Sequence, residues 1–65
     1  MFKVGDYAWD KVTNSVVLVE YVDENIVRKK YLVRNHNIGG FRLDNQLLHS
    51  TVDFDGKALP TTNEA

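Results

Sequence analysis

Apolar and polar side chains alternate along most of this chain with a period of two, the spacing of a strand with one covered face. The stretch FKVGDYAWD puts a bend at Gly5 and then a strand over residues 6–12, with Tyr7 and Trp9 on one side and Ala8 on the other. Thr13, Asn14 and Ser15 make a turn cluster. The run VVLVEYV, residues 16–22, is the most strand-prone segment of the chain. Asp23, Glu24 and Asn25 separate it from IVRKKYLVR, residues 26–34, and the two runs read as a hairpin. NHNIGG supplies the next turn, followed by a short strand over residues 40–43. A single helical turn is expected over residues 44–47, capped by Asp44, and then a fifth strand over residues 49–54. At Asp55-Gly56 the chain turns tightly, and it either returns as a last hairpin over residues 57–59 or frays. Apolar residues nowhere recur at helical spacing over several turns. The pattern therefore predicts one all-β domain over residues 1–59 and a flexible tail over residues 60–65.

A loop at residues 23–25 sets the pairing of the central hairpin. Val22 then faces Ile26, Glu20 faces Arg28 and Leu18 faces Lys30. One face carries Val17, Val19, Tyr21, Val27, Lys29, Tyr31 and Val33 and is expected to be the core. The other carries Val16, Leu18, Glu20, Val22, Ile26, Arg28, Lys30 and Leu32, with Glu20 set against Arg28. A slip of one residue would exchange the two faces.

Composition narrows the class of protein. Cysteine is absent, which removes disulfides and thiolate metal sites and fits a reducing, cytoplasmic setting. No apolar run approaches the roughly 18 residues of a membrane span, and the first residues lack a signal-peptide pattern. A net charge of -1 predicts no bulk attraction to nucleic acid. A chain this short buries only about 60% of the surface its unfolded form exposes, so self-association would help it.

FKVGDYAW resembles the opening of KOW-, Tudor-like and related bacterial SH3-like modules, which begin with two spaced hydrophobic residues, Gly-Asp and an alternating strand. KKYLVRN and GGFRLDNQLL resemble their second half, a Tyr-x-Val strand, a glycine turn, a short strand and a closing polar turn. The likeness spans residues 2–48. It implies a five-stranded SH3-like β-barrel with a one-turn helix before the last strand, in a small accessory protein of bacterial or phage type. The barrel of the plasmid-borne type II dihydrofolate reductases is a more distant likeness. There a Val-Gln-Ile-Tyr strand lines the ligand pore, and the matching stretch here is Phe41-Arg42-Leu43-Asp44. Arg42 and Asp44 replace the ligand-contacting glutamine and tyrosine, so no catalytic residue carries over.

The residues themselves hold little catalytic chemistry. His36 and His49 lie in different elements, and no nucleophile elbow, phosphate loop or His-Glu-x-x-His is present. Ser50 and His49 are neighbours on a strand and point to opposite faces. No catalytic residue, metal or cofactor is expected. With Ala8 facing inward, Tyr7 and Trp9 face out, and together with Phe41 they form the leading candidate surface for a protein partner. The alternative is nucleic acid held by Arg28, Lys30, Arg34 and Arg42, against the plainer reading of a solvated sheet face. Aliphatic residues on the outer face suggest a homodimer. The expected role is thus a non-enzymatic binding module, ranked above nucleic-acid binding and above an enzyme assembled at an oligomer interface.

Overall fold

A computed structural model describes residues 2–24 and 27–60. The alternating pattern resolves into β1 (Tyr7–Asp10), β2 (Ser15–Asp23), β3 (Lys30–Arg34), β4 (Gly39–Leu43) and β5 (Leu47–His49), with a 3-10 turn at Asp44–Gln46 before the last strand. All strand pairs are antiparallel, in one sheet ordered β4-β3-β2-β1-β5. Gly5 makes the expected bend, at φ 94, where only glycine is unstrained.

The sheet curls upon itself. Neighbouring strands lie about 4.8 Å apart, so β4 and β1 would be separated by roughly 14 Å in a flat sheet. Yet Arg42 Nε of β4 sits 3.0 Å from Asp10 Oδ1 of β1. Phe2 likewise meets both sides of the curl, with its ring 5.3 Å from that of Tyr31 on β3 and 4.3 Å from that of His49 on β5. Inside lie Phe2, Ala8, Val17, Val19, Tyr31, Val33 and Leu47. Cross-strand pairs build this core directly: Ala8 opposes Val17, and Val19 opposes Val33.

The central hairpin departs from the tight pairing expected. β3 begins at Lys30, and the connection from β2 spans residues 24–29. Leu18 pairs with Arg34, Val22 with Tyr31 and Asp23 with Lys30. Glu20 meets Arg34, not Arg28, at 2.6 Å. The expected partner of Val22, Ile26, lies outside the described residues, as do Asn25 and residues 61–65 of the tail. A β-bulge between Val19 and Tyr21 makes Glu20 an extra residue and reverses the alternation. Val17 and Val19 face inward before it; after it Val22 packs on the core and Tyr21 is 49% exposed. Val27, also expected inside, is fully exposed. The tight pairing would have carried Val27 and Lys29 inward with Tyr31. The longer connection buries Tyr31 and leaves Lys29 out of the core cluster, avoiding the cost of a buried ammonium.

The last strand is earlier and shorter than residues 49–54. Leu47 is the buried anchor, opposite Asp10 on β1. Residues beyond it make a small terminal hairpin, with a single bridge between Val52 and Ala58. Asp53 Oδ1 accepts the N–H groups of Asp55 and Lys57, and Gly56 turns at φ 79. The 3-10 turn is capped by Gln46, whose Oε1 accepts the Leu43 N–H at 2.8 Å. Asp44 is not the cap: it lies inside the turn, after Leu43 at the N-cap position.

Candidate functional site

β1 presents Tyr7 and Trp9 on the outer face, as alternation about the fully buried Ala8 requires. Trp9 stands between Leu48 of β5 and Val16 of β2. It is 37% exposed and Leu48 is 51% exposed. Tyr7 stands opposite Leu18, and its ring meets that of Phe54 edge-on at 5.1 Å. Phe54 also packs 5.2 Å from the imidazole of His36. Beyond it opens a cleft of about 360 Å³ lined by Leu18, Arg34, Asn35, His36 and Phe54. An aromatic strip therefore runs from Leu48 and Trp9 through Tyr7 to Phe54.

Phe41 does not join this strip. It lies on β4, with β3 and β2 between it and β1 in the strand order. There it is opposite Leu32, itself opposite Tyr21, and the Lys30 ammonium sits 5.0 Å from its ring centre. This cation–π contact is worth about 0.5–1 kcal/mol at an exposed site. Phe54 and Leu48, which do join the strip, were not singled out from sequence. The Asp55-Gly56 turn was the one local sign that Phe54 would be folded back.

The four basic candidates are likewise divided. Arg28 is exposed in the β2–β3 connection, and Lys30 lies over Phe41. Arg34 sits at the far end of β3 in its ion pair with Glu20. Arg42 points to the interior, where its side chain is 14% exposed. Because Arg34 is largely solvated, Arg34→Ala should lower stability by no more than about 1 kcal/mol, and salt should erase the difference in a urea titration.

Arg42 belongs to the principal polar feature of the interior, one that the sequence reading did not foresee. Its Nε lies 3.0 Å from each carboxylate oxygen of Asp10, which is fully buried. Asp10 Oδ1 also accepts the Val12 N–H at 3.0 Å, and Oδ2 accepts the Thr13 hydroxyl at 2.7 Å. Since Thr13 gives its proton to Asp10, it must accept from Ser15, 2.8 Å away. Ser15 Oγ in turn accepts from Asn35 Nδ2 at 3.1 Å. A directed chain thus ties the β3–β4 loop to the turn after β1. Burial pushes the Asp10 carboxyl up; the bonds from Arg42, Thr13 and Val12, with the charge of Arg42, outweigh it and leave its pKa below the ordinary value.

The histidines are not brought together as ligands. His49 stacks on Phe2, His36 packs tilted against Phe54, and among the described residues no group of His, Asp and Glu is arranged to hold a metal ion. No described helix is long and apolar enough to cross a membrane. Comparison with protein-family models, curated proteins and solved structures finds no match to this chain.

Proposed function

We propose that the chain is a small non-enzymatic binding module that holds a protein partner on the outer face of β5, β1 and β2. The observation that carries this reading is Trp9, kept partly open to solvent beside exposed Leu48 in a chain with very little core. Large rings that a small domain does not bury are the usual anchors of protein interfaces. Tyr7 and Phe54 extend the same surface. The antiparallel curl and the 3-10 turn before β5 are consistent with the SH3-like architecture that the sequence resembles, and the lack of cysteine fits a cytoplasmic setting.

Trp9 is the sole tryptophan, so its emission reports on this face alone. In the free protein it should be red-shifted and open to quenching by acrylamide. A random-peptide display library should yield ligands that quench or shift it. Trp9→Ala should weaken those ligands by about 30-fold or more, measured at a temperature where circular dichroism shows the variant still folded. Ligands that bind Trp9→Ala as well as the native chain would sink the proposal. So would a barren library together with salt-sensitive binding of oligothymidylate that Lys30→Glu and Arg34→Glu abolish, a result that establishes nucleic-acid binding instead.

A further inference from the structure

Among the described residues, the far edge of β4 has no neighbouring strand in the sheet. Its open backbone groups follow from the ladder. Asn35 donates its N–H to the Ile38 carbonyl at 2.9 Å, closing the loop between β3 and β4 as a hydrogen-bonded pair. Such pairs alternate along an antiparallel ladder. Val33–Gly40 and Tyr31–Arg42 are therefore hydrogen-bonded, and Arg34–Gly39, Leu32–Phe41 and Lys30–Leu43 are not. The N–H and C=O groups of Gly39, Phe41 and Leu43 consequently point away from β3, along the free edge. Two side-chain contacts agree with that assignment. The Leu43 N–H donates to Gln46 Oε1 at 2.8 Å, and the Phe41 carbonyl accepts from Arg42 Nη1 at 2.9 Å.

Arg42 therefore spans two jobs with one guanidinium. Its Nε is fixed on the buried Asp10 carboxylate, and that anchorage holds Nη1 over the edge carbonyl of Phe41. We propose that Arg42 guards this edge, keeping β4 from pairing with β4 of a second copy of the chain. A second copy is the fitting occupant because the open groups are self-complementary. About a two-fold axis through Phe41, each Phe41 N–H meets the Phe41 carbonyl of the other copy, so that one bond implies the other. The two Phe41 rings, each 50% exposed, would fall side by side on one face. Gly39 adds no side chain to obstruct the approach. The Arg42 contact takes one lone pair of the acceptor on which the central pairing depends, and Gln46 holds the Leu43 N–H farther along the edge. Unpaired edges of this kind invite association unless something on the chain blocks them.

Arg42→Lys separates the two jobs. Lysine keeps a cation for Asp10 but lacks the fork needed to reach Asp10 and the edge carbonyl together. Sedimentation equilibrium should find the native chain monomeric, in place of the homodimer that its outer aliphatic residues suggest, and Arg42→Lys should rise toward twice that mass with concentration. Adding Phe41→Pro to Arg42→Lys removes the edge N–H, without touching a β3 bond, and should restore the monomer. If Arg42→Lys does not fold, Asp10→Leu with Arg42→Met replaces the buried pair by apolar side chains and still lacks the guard, so it must dimerise. A folded, unguarded variant that stays monomeric overturns the proposal. A dimer that survives Phe41→Pro overturns it too, as does a native chain that already dimerises in a way Phe41→Pro abolishes.

Discussion

Asp10→Ala is expected to leave the chain unfolded in plain buffer at room temperature. Asp10 is fully buried, and its carboxylate receives Arg42, Thr13 and the Val12 N–H. Truncating it strands the Arg42 guanidinium in the interior and releases the turn after β1. Breaking a buried pair from one side costs about 3–5 kcal/mol. A core of this size rarely supplies more than about 3–5 kcal/mol in all. Asp10→Asn retains the shape but leaves Arg42 without its counter-charge, and it should fall between the two. Far-UV circular dichroism in a urea titration is the direct measurement. A cooperative Asp10→Ala transition within about 1 kcal/mol of the native one would show that the pair is not what closes the curl.

The same residue should govern the acid limit. Its folded pKa is lowered, so its contribution is complete above the ordinary aspartate value of 3.8 and is lost as pH falls through the lowered one. Protonation removes the charge that Arg42 requires. The native chain should thus lose stability progressively below about pH 4, while a folded Asp10→Leu with Arg42→Met variant should lack that part of the acid transition.

How much of this could be read from the chain depends on whether the cause is local. The all-β class was legible because the period of two persists through Ala8, Val17, Val19, Tyr31 and Val33, and each of these is buried. The change of phase at Glu20 was not, because a bulge is decided by which partner strand arrives and where. Val22 and Tyr21 changed places as a consequence. Alternation with Ala8 turns Asp10 inward or leaves it at the strand end, but its full burial was equally hidden. A charged residue at a strand end reads as solvent-facing, and the group that permits its burial is 32 residues away. Of the candidate surface, the shared side of Tyr7 and Trp9 followed from alternation alone. The separation of Phe41 from them did not, since it depends on the direction in which the sheet curls. The addition of Phe54 depends on a hairpin held by a single bridge and by the Asp53 carboxylate.

Tyr31→Ala should be as damaging as the loss of Asp10, by a different physical route. Tyr31 is the largest of the fully buried side chains, opposite Val22 on one side and Arg42 on the other. Its ring packs edge-on against Phe2, and its hydroxyl oxygen accepts the Phe2 N–H at 3.4 Å. Removing the ring opens a cavity in the centre of the curl, at a cost of about 3–5 kcal/mol. Tyr31→Phe keeps the ring and deprives the Phe2 N–H of its acceptor, which should cost about 1–3 kcal/mol. The two variants therefore separate packing from hydrogen bonding in the same urea titration, and equal losses in both would refute the packing argument. Alkali supplies an independent check. Burial raises the Tyr31 pKa; the Phe2 N–H pulls it down, but the hydrogen bond to Asp44 and the charges of Asp44 and Glu24 raise it further. With the folded value above the ordinary 10.0, the contribution of Tyr31 is complete below pH 10 and is lost as pH rises through the raised value. Phenolate absorbance in the native chain should show Tyr31 titrating together with unfolding, above the ordinary value of 10.0. In Tyr31→Phe that late step should vanish, and its survival would assign it to another residue.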